Sequence, residues 1–138
     1  EDHQSLSSKA DEAQNIFGRI DVLINSGGIS QRSLAMETDL ATEQRFININ
    51  FWGTVILSKA VLTQMLAQNT GSIICISSLV GKFGTKLRSS YSASKHALHG
   101  YFDSLRIEVN NPNIQFLLVC PGFIKTNTHI MILPLKCF

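Results

Sequence analysis

Residues 71–95, GSIICISSLVGKFGTKLRSSYSASK, hold a short apolar run, a polar loop and a helix start in immediate succession. The run Ser72-Ile73-Ile74-Cys75-Ile76-Ser77 is continuous rather than alternating, as expected for a strand covered on both faces, and Gly71 separates it from what precedes. After the loop, Leu98, Tyr101, Phe102, Leu105 and Val109 recur at helical spacing and predict a helix over about 91–110. Asn110 to Asn113, with Pro112, breaks it. Tyr91 and Lys95 therefore stand one helical turn apart on a shared face, one loop after a strand that ends in Ser77-Ser78.

The same alternation extends both ways. Leu6, Ala10, Ala13 and Phe17 form the stripe of an amphipathic helix over 3–17, and Gly18 stops it. A strand over 20–25 follows and ends in the turn Ser26-Gly27-Gly28. Residues 40–68 read as one long helix with Phe46, Ile49, Trp52, Ile56, Ala60 and Leu62 among its apolar positions. Ile114 to Cys120 forms a third strand, closed by Pro121-Gly122. The order α-β-α-β-α-β with continuous apolar strands predicts an α/β fold, a doubly wound parallel sheet joined by right-handed crossovers. Ligands in such sheets bind beyond the carboxyl ends of the strands, so the segments of interest are 25–28, 77–84 and 120–126.

Composition removes several function classes. The chain has 138 residues, enough for one domain, with 44% hydrophobic and 16% charged residues and a net charge of +2. That charge, without a Lys/Arg cluster, argues against a nucleic-acid partner. No uninterrupted apolar run approaches the roughly eighteen residues of a membrane span. The polar start EDHQSLSSKADEAQ is not a secretory signal. It opens without methionine and inside a helix, so a preceding segment is expected, with any anchor carried there. Cys75, Cys120 and Cys137 include no CxxC pair, and Cys75 and Cys120 read as small hydrophobes within apolar runs. His96 and His99 lack a carboxylate or cysteine at ligand spacing; they read as a solvated face, and no metal site is expected.

The chemistry-bearing constellation starts from the phenol and the amine. A phenol has an ordinary pKa near 10, and bringing it to about 7 needs roughly 4 kcal/mol of differential stabilisation. A neighbouring ammonium works in that direction, so the pair suits proton transfer to or from an alcohol or carbonyl oxygen. Alone, a Tyr-x-x-x-Lys pair arises by chance in roughly one chain of this size in several. Context raises its weight, because a strand-ending serine can hydrogen-bond the same substrate oxygen.

Five ordered motifs then resemble the short-chain dehydrogenases/reductases over residues 3 to 128. They are Asn25-Ser26-Gly27-Gly28, Asn50-Phe51-Trp52-Gly53, Ser77-Ser78, Tyr91-Ser92-Ala93-Ser94-Lys95 and Pro121-Gly122-Phe123-Ile124-Lys125-Thr126. The resemblance implies a Rossmann-like sheet, of which residues 1–128 supply the catalytic half, three strands, without the N-terminal βαβ unit or the C-terminal end. Residues 129–138 are an atypical tail, read as an alternative or truncated end. It further implies that Tyr91 is the general acid/base, that Lys95 lowers its pKa and binds the nicotinamide ribose, and that Ser78 orients the substrate, with Ser77 the lesser candidate. Asn50 would hold a water of the proton relay at a locally disturbed point of its helix. Asn25, Gly27 and Gly28 would lie against the cofactor with Tyr91 and Lys95, and Pro121, Gly122, Ile124 and Thr126 beside the nicotinamide.

Within the family, residues 26–34 and 94–98 are most similar to the member 7 branch, which is NADP-linked and held at the endoplasmic-reticulum membrane by an N-terminal segment. The implied cofactor is NADP, with NAD as the alternative. The implied substrate is a small carbonyl or alcohol, steroid, retinoid or lipid-like molecules included, and the implied assembly is a homodimer in the full-length form. The Gly-rich phosphate turn G-x-x-x-G-x-G is absent from this sequence. The rival reading is therefore an inactive truncated fragment or a non-catalytic dimerisation partner, pairing through the 40–68 and 91–110 helices, on whose outer faces Trp52 and Phe102 are candidates. An α/β hydrolase ranks third because no G-x-S-x-G elbow occurs.

Overall fold

A computed structural model of the chain describes residues 3–122 and 130–131. Helix α1 (His3–Phe17) leads into strand β1 (Val22–Asn25), and a two-residue strand β2 (Ser30–Gln31) follows. Helix α2 (Leu40–Ile47) runs through a π-helical turn (Asn48–Trp52) into α3 (Gly53–Ala67) without a break. Strand β3 (Gly71–Ile76), helix α4 (Ser89–Val109), strand β4 (Ile114–Val119) and a short strand β5 (Ile130–Met131) complete the order. The three main strands form one parallel sheet in the order β1-β3-β4, with Leu23 beside Ile73 and Ile73 beside Phe116. β2 pairs in parallel with β5.

Local chemistry sets the boundaries. Asp39 caps α2, its carboxylate accepting from the Thr42 N–H at 2.7 Å. Those bonds hold the Asp39 pKa below the ordinary carboxylate range. Asn110 ends α4 at φ 41°, the left-handed conformation that asparagine tolerates better than most residues.

The core corrects one expectation. Ala10, Val61, Leu62, Met65, Ile73, Cys75, Leu98, Phe102, Ile114 and Phe116 form a single buried cluster. Every strand residue in it points to the same face of the sheet, so α1, α3 and α4 all pack on that face. On the other face Val22, Ile24 and Leu117 stay 52%, 57% and 55% exposed. Helices were expected on both faces; among the described residues they cover one. Phe102, expected as a candidate on an outer helix face, is core, whereas Trp52 is 45% exposed.

Leu40–Ala67 is also long and apolar enough to cross a membrane, at mean hydropathy 1.2. Counting uninterrupted apolar runs overlooked it, because Lys59 and scattered polar residues punctuate it. Val55, Val61, Leu62 and Met65 are nonetheless buried, as in a core helix. Each such fully buried side chain contributes about 1.5–3 kcal/mol.

Candidate active site

The carboxyl ends of the three strands converge on an open cleft of about 430 Å³. Its lining comes from Ser26–Ser30 after β1, Ser77–Val80 after β3, and Pro121-Gly122 after β4. Phe83 and Thr85 from the following loop, and Arg88, Tyr91 and Lys95 from the start of α4, complete it. A second cavity of about 390 Å³ flanks β1 and shares Ser26 and Gly27 with the cleft.

Lys95 is 5% exposed although it carries an amine. Its Nζ donates to the Ile76 carbonyl at 2.9 Å, which ties α4 to the end of β3 and leaves two N–H groups for other partners. Burial lowers its pKa, and the nearby Cys75 thiol opposes that shift. Burial raises the Cys75 thiol itself to about 11. Two cations flank the Tyr91 ring, Lys95 Nζ at 5.9 Å from its centroid and the Arg88 guanidinium at 5.7 Å.

Asn50 sits wholly buried in the π turn and joins three elements. Its Nδ2 donates to the Ile29 carbonyl at 2.9 Å and to Ser94 Oγ at 3.0 Å, while its Oδ1 accepts from the Ile29 N–H at 2.8 Å. Ser94 Oγ donates on to the Tyr91 carbonyl at 2.8 Å. Both amide donors are thus used, and only a second lone pair of Oδ1 remains for a water. Gly28 explains the turn above it. A Cβ there would lie 3.1 Å from Asn50 Oδ1, so a side chain would crowd that amide, and it would pack in ordinary contact 3.6 Å from Lys95 Nζ.

The two serines at the end of β3 have different surroundings. Ser77 is buried, and its Oγ shares a 3.0 Å hydrogen bond with His99 Nε2. Cys120 Sγ lies 3.6 Å from the same nitrogen. Gly81 closes this pocket, since a Cβ there would meet Ser77 Oγ at 2.7 Å and His99 Nε2 at 3.0 Å. Ser78 is half-buried, and its Oγ accepts a long 3.4 Å bond from the Val80 N–H. Ser78 therefore keeps its own proton to donate.

Of the residues singled out in the sequence, Tyr91, Lys95, Ser78, Gly27, Gly28, Pro121 and Gly122 line the one cleft. Asn50 underlies it through Ile29. The side chain of Asn25 is turned away into the sheet–helix junction, where Nδ2 donates to Ser58 Oγ at 3.0 Å. Ile124 and Thr126 lie outside the described residues, as does Cys137. His96 and His99 were expected on a solvated face; of the two, His99 is buried and His96 is exposed. Among the described residues no group of His, Cys, Asp or Glu could hold a metal. Sequence reading missed Arg88, Ser94 and His99. Ser94 stood inside the quoted Tyr91–Lys95 motif, but no spacing rule marks Arg88 or His99.

Comparison with known proteins agrees with this architecture. The profile of the short chain dehydrogenase family matches residues 1–133. Dehydrogenase/reductase SDR family protein 7-like of Anopheles gambiae is 45% identical over 125 residues, 91% of this chain and 39% of that protein. Dehydrogenase/reductase SDR family member 7B of Xenopus tropicalis is 40% identical over 129 residues, 94% of this chain and 42% of that protein. Among solved structures, ElxO with NADP bound superposes with a TM-score of 0.86 at 33% identity, over 91% of this chain and 51% of its own. The chain spans about two fifths of the length of the curated relatives it matches. The buried-amine cleft at the ends of a parallel sheet, the profile match over residues 1–133 and these similarities lead to one conclusion: the chain belongs to the short-chain dehydrogenase family.

Proposed function

We propose that this chain carries the catalytic segment of an oxidoreductase that interconverts a carbonyl and a secondary alcohol by hydride exchange with NADP(H). The observation that carries the proposal is the convergence of Tyr91, Lys95 and Ser78 on one cleft at the carboxyl ends of three parallel strands. A nicotinamide dinucleotide fits what is present. Gly28 leaves room for close backbone approach beside Lys95, and the neighbouring cavity that shares Ser26 and Gly27 extends the path past β1. Gly27, Gly28, Pro121, Gly122 and Lys95 would hold it, together with Ile124 and Thr126, while Asn25 supports the turn from below. When bound, it supplies or takes the hydride at the substrate carbon.

The chain's own residues handle the proton. In reduction the Tyr91 hydroxyl gives its proton to the substrate oxygen; in oxidation the same oxygen takes it back. Ser78 Oγ donates to the substrate oxygen and fixes its distance from Tyr91. The Lys95 ammonium stabilises the negative charge that develops on the Tyr91 oxygen, and its low-dielectric surroundings strengthen that interaction. Asn50 acts chiefly as a positioning residue, holding Ile29 and Ser94 in register, with one lone pair left for a relay water.

The likeness of residues 26–34 and 94–98 to the member 7 branch supports NADP over NAD, a small carbonyl or alcohol substrate, and attachment at the endoplasmic-reticulum membrane. Pairing into a homodimer is proposed through the outer sides of the continuous Leu40–Ala67 helix and of α4, with Trp52 exposed in the π turn of the former. The test is Tyr91→Phe in the intact protein. Turnover should fall by at least about a hundredfold with NADPH affinity nearly unchanged. Retained turnover would remove Tyr91 as the acid/base.

A further inference from the structure

We infer that Arg88 recognises a carboxylate on the substrate, which narrows the substrate class to carbonyl or alcohol compounds with an apolar body and an acidic group a few bonds from the reacting oxygen. This rests on the reading of Tyr91 as the proton-transfer group. Arg88 is placed by its backbone as well as by its side chain. Leu87, just before it, takes φ 65°, a left-handed conformation uncommon for a branched side chain. The Leu87 carbonyl accepts from the Ser33 N–H at 3.1 Å, and the Arg88 carbonyl accepts from the Ser92 N–H at 2.7 Å. The guanidinium then lies over the Tyr91 ring, and its Nη1 donates to Ser30 Oγ at 3.2 Å.

Three observations point from there to an acidic ligand. A guanidinium has five N–H donors, and among the described residues Ser30 takes one of them. Among the described residues, the cleft lining holds two cations, Arg88 and Lys95, and no Asp or Glu. Of those two, Lys95 is 5% exposed and tied to the Ile76 carbonyl with two N–H groups left, whereas Arg88 is only half-buried and keeps more of its donors at the mouth. A half-buried guanidinium with no carboxylate partner among the described residues is poorly compensated, and its planar fork matches a carboxylate in two parallel hydrogen bonds. The rest of the mouth is apolar. Leu79 is 42% exposed and Phe83 52% exposed, and both line the cleft. An apolar body would cover these two while the acid meets Arg88.

The test compares 4-acetylbenzoate with its methyl ester as ketone substrates of the intact protein with NADPH. The wild type should favour the acid in kcat/KM, and Arg88→Leu should cut the acid-to-ester ratio by about ten- to a hundredfold. Arg88→Gln, close in shape and neutral, should cut it similarly, so a folding failure of the leucine variant alone decides nothing. An unmoved ratio overturns the inference. So does an unmoved ratio with weakened NADPH binding in a fluorescence titration, which would assign Arg88 to a cofactor phosphate. If neither ketone is reduced, the hydride-transfer reading fails, and equilibrium binding decides this inference separately. Tighter binding of 4-acetylbenzoate to the wild type than to Arg88→Gln supports it, and equal binding overturns it.

Discussion

Lys95 and His99 leave α4 toward the sheet one turn apart, and burial pushes both amine and imidazole toward their neutral forms. For His99 burial is the leading cause; Lys82 and His96 add to it, and Asp103 opposes. Cys120 faces the same ring from the end of β4. The sign follows from linkage. The folded pKa lies below the ordinary 6.5, so as pH falls through that value the unfolded chain takes up a proton that the folded chain refuses. Stability from this group is complete above about pH 6.5 and declines below it. His99→Gln keeps a hydrogen-bonding group near Ser77 but does not titrate. Its urea midpoint should therefore fall less than that of the wild type between about pH 7.5 and 5.5; parallel falls would show that His99 does not titrate in that range. Nothing in the sequence showed this role, since the hydrogen-bond partner of His99 is Ser77, twenty-two residues away.

The helix spanning Leu40–Ala67 was legible in the sequence as one element, because its apolar positions repeat at the right period. Its π turn was not legible from periodicity, which blurs over one extra residue; the family resemblance implied a local disturbance at Asn50, and the π turn over Asn48–Trp52 is that disturbance. That turn places the Asn50 amide against Ile29 in the loop after β1 and against Ser94 in α4. Removing the amide strands an N–H, a carbonyl and a hydroxyl at once. Asn50→Ala should lower unfolding stability by about 2–4 kcal/mol in urea melts and speed hydrogen exchange at the Ile29 amide. A loss below about 0.5 kcal/mol would mean that these three elements hold together without it.

The sheet of three strands is covered on one face and, among the described residues, bare on the other. Val22, Ile24 and Leu117 make that face apolar, and β1 adds an edge paired only with β3. A chain of these 138 residues expressed alone should self-associate through this side. Ile24→Lys, a charge in the middle of the exposed patch, should shift sedimentation equilibrium toward monomer by severalfold in apparent association constant. Equal association of variant and wild type would place the contact elsewhere, Trp52 beside α2 being the next candidate.

Element order, parallel pairing and the nearness of Ser78, Tyr91 and Lys95 were determined by the sequence alone. They depend on local periodicity and on the rule that connects a strand end to the helix after it, both of which act over a few residues. Only the tertiary structure decided which sheet face is covered, that Asn25 and Asn50 spend their amides on support, that His99 is buried, and that Arg88 meets the Tyr91 ring. Each of these depends on contacts between segments far apart in the chain, such as Arg88 with Ser30, whose energies no local pattern encodes.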